Sequence, residues 1–140
     1  MTAYDDQNIF AKILRGEMPA TRVYEDDKTL AMMDIMPRAD GHVLVLPKTA
    51  SRNILDIEAG DMGAVMATAQ KIARAQMATF DADGITVQQF SESAGGQVVF
   101  HTHVHVLPRH EGVALRPPGT MADGAELEAH AEKIRQALAA

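Results

Sequence analysis

His101-Thr102-His103-Val104-His105-Val106-Leu107-Pro108-Arg109 sets three imidazoles at i, i+2 and i+4 inside a run rich in Val. That period belongs to a β-strand, and it predicts three rings on one face, with neighbours leaving the backbone about 6.7 Å apart. The alternate positions Val98, Phe100, Thr102, Val104 and Val106 read as a buried face. Histidine suits nucleophilic and acid/base work near neutral pH, so a hydrophobic strand holding a row of them has chemistry available to it.

Three readings are open. The rings can be exposed strand residues, although histidine is not a favoured strand filler and folding does not ask for the repeat. They can bind a metal, since His-x-His supplies two zinc ligands. The outer pair lies about 13 Å apart along a strand, however, which makes convergence of all three on one ion difficult. His42 is the distant imidazole that could complete such a site. The third reading is a covalent phosphoryl or nucleotidyl transfer centre. One neutral imidazole attacks phosphorus while its far nitrogen keeps a proton and is held by an acceptor, and a second donates to the leaving atom. Ser91-Glu92-Ser93-Ala94-Gly95-Gly96 leads into the row, and its glycines allow backbone N–H groups to approach an anion. Gln97 adds a side-chain amide at the mouth of the site.

The elements that must carry these residues are readable. Asn8 to Arg15 has Ile9, Phe10, Ile13 and Leu14 at one-face helical spacing, with Asp5 or Asp6 as N-cap and Gly16 and Pro19 as stops. Thr21 to Tyr24 and Leu30 to Ile35 form a hairpin around Glu25-Asp26-Asp27-Lys28, and His42 to Leu46 makes a third strand. From Asp56 or Glu58 to Phe80 a 3.6-residue apolar stripe marks a long helix. Ile85 to Ser91 and Gln97 to Leu107 are the remaining strands. Arg109 to Gly124 is Pro- and Gly-rich, and Leu127, Ala131, Ile134 and Leu138 mark a closing amphipathic helix. The sum is an α+β domain: an antiparallel sheet of about five strands, a long central helix and shorter terminal helices, with the helices on one face.

The 140 residues, 46% of them hydrophobic, suit a single domain over 1–140. A net charge of −6 argues against general nucleic-acid or membrane-surface binding. Cysteine is absent, which excludes disulfides and thiolate metal sites. With no basic-then-apolar leader and no apolar run of about 20 residues, a cytoplasmic location is expected.

On these residues the chain resembles the histidine triad (HIT) family, in its small Hint-like, nucleotide-binding branch. The resemblance is carried by Gly96-Gln97-Val98-Val99-Phe100 before the triad, by Ile9 through Ala20, and by Leu30 through Pro37 with Gly41 through Lys48. It covers about residues 8–110, leaving 111–140 as a C-terminal extension and helix. It implies a homodimer that binds a purine nucleotide and hydrolyses or transfers at its α-phosphate, with no cofactor and no metal. His103 would be the nucleophile, His105 would contact the bridging atom or phosphate, and His101 would orient His103 through its carbonyl. His42 matches the family's fourth histidine. Asp34 would accept from the ribose hydroxyls, and Ile9, Phe10, Ile13 and Ile35 would wall the base.

The departures are equally specific. Asn8 and Ala11 stand where many relatives have a Cys-x-x-Cys zinc pair, so no structural zinc of that kind is expected. Phe90 replaces an asparagine that approaches the phosphate, with Gln89 the nearest amide. Val98 stands where phosphoramidases carry Ser, and Leu115 to Gly119 stands in the region where the vertebrate-type proteins have a strand-terminal Trp. Lys48, Arg109 and Arg116 are cations that could meet further phosphates of a dinucleoside polyphosphate, or be solvated surface charges.

Overall fold

A computed structural model describes residues 2–140. The chain runs α1 (Ile9–Leu14), β1 (Arg22–Glu25), β2 (Thr29–Met33), β3 (Val43–Pro47), α2 (Ala59–Phe80), β4 (Gly84–Gln88), a 3-10 turn (Ser93–Gly95), β5 (Val104–Arg109) and α3 (Gly124–Ala139). The five strands form one antiparallel sheet in the order β1-β2-β3-β5-β4. Hence the triad strand is inserted between β3 and the last strand rather than left at an edge. The α+β reading and the long helix stand as read from sequence.

Every residue of β2 and β3 is buried, which requires cover on both sheet faces. On one face Ala31, Met33, Val43, Val45, Val104 and Val106 pack against Val65, Ala69 and Ile72 of α2 and Leu127, Ala131 and Ile134 of α3. On the other, Leu30, Met32, Leu44 and Leu46 meet Phe10 and Ile13 of α1. The expectation of helices on one face alone is therefore corrected: the short first helix lies opposite the other two. Its N-cap is Asn8, whose Oδ1 accepts from Ala11 N at 2.9 Å, not Asp5 or Asp6.

Two strands are shorter than their sequence patterns. β4 ends at Gln88, and β5 begins at Val104, so His101 and His103 precede the strand. Local bonds outcompete the ladder there. Thr102 N donates to Ser51 O at 2.9 Å, its hydroxyl meets Ser51 Oγ at 2.7 Å, and His103 Nδ1 turns back on His101 O at 2.6 Å. Val98, assigned to the buried face, is 84% exposed.

The segment from Arg109 to Gly124 crosses the β2–β3 connection as a strap. Arg116 N donates to Arg38 O, Arg38 Nε donates to Arg116 O, and Ala122 N donates to Ile35 O, at 2.8, 2.8 and 2.9 Å. Among the described residues no helix is long and apolar enough to cross a membrane.

Candidate active site

Strand alternation sorts the site residues. In β3, Val43 and Val45 face α2 while Leu44 faces α1, and His105 pairs with Leu44, so His105 sits on the α1 face. His42 and Asp34 extend the same face from the ends of β3 and β2, where Asp34 N donates to His42 O at 3.0 Å. Phe10 of α1 then closes edge-on against His103, ring centroids 4.8 Å apart, and the His103 and His105 rings are 5.1 Å apart.

The hydrogen bonds fix where each ring carries its proton. His42 Nδ1 accepts from Arg38 N at 3.1 Å, so the proton of the neutral ring is on Nε2. Nε2 donates to His105 Nδ1 at 2.9 Å, which leaves the His105 proton on its own Nε2. His103 Nδ1 donates to His101 O, leaving a lone pair on His103 Nε2. His101 Nε2 donates to Pro47 O at 2.8 Å, and its Nδ1 accepts from Tyr4 Oη at 2.7 Å. The result is one free lone pair, on His103, beside one free N–H, on His105. Neither atom is sealed in: among the described residues Gln76 Oε1 is the single buried side-chain polar atom without a partner.

Burial keeps all four rings neutral. Desolvation lowers His42 to about 3, helped by His105 and Arg38, and lowers His101 and His105 to about 4. It lowers His103 too, against the bond to His101 O. Asp34 is raised by burial, opposed by the N–H of Met36 on its Oδ1. Its Oδ2 lies 3.4 Å from His42 Nε2, a contact with a neutral ring rather than an ion pair.

Asp34, His42 and His105 present their ligand atoms within 4.8 Å of one another, a grouping that can be weighed as a metal site. The proton inventory opposes it. A metal on His42 Nε2 would need a lone pair on the nitrogen that carries the ring's only proton, because Nδ1 already accepts a backbone N–H. His42 and His105 are instead joined in a hydrogen-bonded relay, from Arg38 N through His42 to His105, with the Asp34 carboxylate beside it.

The preceding loop differs from its sequence reading. Gly95 N and Gln97 N donate to Glu92 O, and Gly96 N donates to Ser93 O, so these amides are spent inside the loop. Gln97 is buried, with its Nε2 on Arg52 O and Val99 O and its Oε1 accepting from Asn53 and Glu92 N. Its amide is a loop strut, not the donor at the mouth that the sequence suggested. Glu92 itself has φ 64° and ψ 164°, a conformation suited to glycine. Arg52 at 2.7 and 3.1 Å and Asn53 at 2.6 Å hold its carboxylate there. Gly96 has φ 97°, a left-handed conformation that favours glycine, and a side chain there would point at Phe90.

Ile9 and Ile35 are exposed and Phe10 adjoins His103, while Ile13 is buried in the α1-face core. Lys48, Arg109 and Arg116 are engaged by Glu25, Thr86 and Asp40 respectively. Two neighbours went unnoticed in the sequence reading: Tyr4, from a polar segment without periodicity, and Arg38, whose contribution is a backbone N–H. Phe90, noted only as a departure, lies against His105 with centroids 5.3 Å apart.

The family model of the HIT domain matches residues 15–112. The chain belongs to the HIT family. A HIT-like protein from Bartonella henselae, described as involved in cell-cycle regulation and crystallised with an unknown ligand, is 51% identical, with 97% of this chain and 99% of that one covered at TM-score 0.94. A zinc-bound histidine triad protein of Mycobacterium smegmatis is 36% identical over 95% and 94% of the two chains, TM-score 0.85. Among curated HIT relatives, adenylylsulfatase HINT3 of Arabidopsis thaliana is 34% identical over 74% of this chain and 52% of its own length.

Proposed function

We propose that this HIT protein cleaves a purine nucleotide derivative at its α-phosphate through a covalent nucleotidyl intermediate on His103. The observation that carries the reading is the open lone pair of His103 Nε2 beside the open N–H of His105. His103 Nε2 forms the bond to phosphorus as the bond to the leaving atom breaks, and His105 Nε2–H bonds to that atom. Water then attacks phosphorus and releases His103. The proton released by the attacking water goes to His105 where that ring has protonated the leaving group, and otherwise to solvent as the product phosphate ionises. Asp34 is assigned to the ribose hydroxyls, the exposed Ile9 and Ile35 with Phe10 to the base, and His101 and His42 to holding the reacting rings.

A neutral imidazole is a weak acid, so His105 acts better as a hydrogen-bond donor than as a proton source. This favours leaving groups that depart as anions, the phosphate anhydrides, over amines. Val98, its side chain turned to solvent, offers no hydroxyl for an amine. The named activity of HINT3, on an adenylyl sulfate, involves such a leaving group and supports the same choice.

Single-turnover assays with adenylyl sulfate, a dinucleoside polyphosphate and an adenosine phosphoramidate test the reading. The anhydrides are expected to turn over faster, and faster phosphoramidate turnover would contradict the leaving-group assignment. A second reading, a nucleotide-binding regulatory protein with little turnover, is favoured by Phe90 beside His105 and by the spent loop amides. Tight nucleotide binding without turnover of any of the three compounds would select it. Metal analysis of the purified protein addresses zinc, and a stoichiometric ion lost on replacing His42 would overturn the relay.

The partner we assign is a second copy of the chain. β1 is covered by α3, whose Arg135 Nε donates to Arg22 O, whereas β4 is an incompletely buried outer strand with Val87 exposed. Unpaired backbone groups on such an edge invite pairing.

A further inference from the structure

Gln76 is 0% exposed on the buried face of α2, beside Ile72 and Ala75, and its Oε1 has no partner. A buried orphan carbonyl is destabilising, so packing does not account for an amide at this position. Its Nε2 donates to Gly41 O at 2.9 Å and to Val106 O at 2.8 Å. The amide orientation follows from the chemistry, because the flipped side chain would set its oxygen against two carbonyls.

The two acceptors adjoin the relay. Gly41 O belongs to the peptide unit whose nitrogen is that of His42, and that nitrogen donates to Ala39 O at 3.2 Å. Val106 follows His105 in β5. His42 and His105 meet on the α1 face, and Gln76 ties the backbone beside each of them from the α2 face. One turn later on α2, Phe80 occupies the space where a Gly41 side chain would be. The helix is thus seated directly on the start of the His42 strand.

We propose that Gln76 is a positioning residue. From beneath the sheet its carboxamide fixes the separation of the His42 and His105 backbones, and so holds the His42 Nε2–H donating to His105 Nδ1 and keeps the His105 proton on Nε2, at the reacting edge. The structural part of this rests on geometry alone; the kinetic part rests on the function proposed above.

The test is 15N–1H NMR of the imidazoles in the wild-type chain, in Gln76→Leu and in Gln76→Met, which retains an unbranched side chain should Leu disturb packing. Wild-type His105 is expected as one tautomer, protonated at Nε2, and the variants as a mixture with Nδ1–H. A folded variant whose His105 tautomer is unchanged would overturn the proposal. In parallel, hydrolysis is compared across aryl esters of adenosine 5′-monophosphate of graded phenol acidity. Gln76→Met is expected to lose about tenfold with the least acidic leaving group and less than about twofold with the most acidic. An equal loss across the series would mark a merely structural residue and contradict the assignment. If the wild type hydrolyses none of the esters, the proposed function fails, while the NMR result still decides the role of Gln76.

Discussion

At the scale of single residues, the site is defined by where protons sit rather than by how many histidines it has. The i, i+2, i+4 spacing identified the triad, but a strand row would have set three equivalent rings on one face. The bonds instead give each ring a different task. His101 is consumed by Pro47 O and Tyr4 Oη, His103 keeps a lone pair, and His105 keeps an N–H. Tyr4 and Arg38 could not be found by periodicity, because one acts through a single hydroxyl and the other through its main chain. Removing the Tyr4 hydroxyl by Tyr4→Phe is expected to cost about 1 kcal/mol of stability, measured by denaturant unfolding, with His103 chemistry retained. Acid stability follows from the lowered imidazoles. Between their ordinary value of 6.5 and values of about 3 to 4, the unfolded chain binds more protons than the folded one. Stability is therefore complete above pH 6.5 and falls as pH drops toward 4. Thermal melts are expected to be level from pH 8 to 7 and to decline steadily below 6.5; an unchanged Tm between pH 7 and 5 would contradict burial of neutral rings.

At the scale of elements, hydrophobic periodicity was most informative where packing decides conformation. It placed α2 within a few residues, and it placed β2 and β3, whose side chains are buried on both faces. It was least informative between Phe90 and His103, where side chain to backbone bonds decide. There the pattern suggested strands running to Ser91 and starting at Gln97, and the chain instead builds a loop around Glu92, Gln97, Arg52 and Asn53. Arg52→Ala should release the strained Glu92 backbone, with increased amide exchange confined to residues 92–97 as the sign. The helix seat is the other element-level constraint. An alanine Cβ at Gly41 would lie 2.3 Å from the Phe80 ring at φ 81°. Gly41→Ala is thus expected to cost about 2–4 kcal/mol, from the left-handed backbone and overpacking together, read in chemical denaturation. A loss below about 1 kcal/mol would mean that α2 does not rest on that strand.

At the scale of the whole molecule, the sheet order puts β5, which carries His105, inside the sheet, between β3 and the outer β4. Rigid neighbours on both sides are what a site with two unlike imidazoles needs, since a small shift would blur the proton assignment. The strap bonds to Ile35 and Arg38, in the connection between Asp34 and His42, a role that the Pro- and Gly-rich composition of residues 109–124 did not disclose. Sedimentation is expected to give twice the 15.1 kDa chain mass, and a charge at Val87 on the open edge to shift it toward the monomer. The central claim is that His103 is the nucleophile, and rapid-quench mass spectrometry of the intact protein during turnover of adenylyl sulfate tests it most directly. One nucleotidyl group per chain, mapped to His103 and missing in His103→Ala, is the result that the proposed function requires. Turnover with no adduct, or with an adduct on His101 or His105, would contradict it.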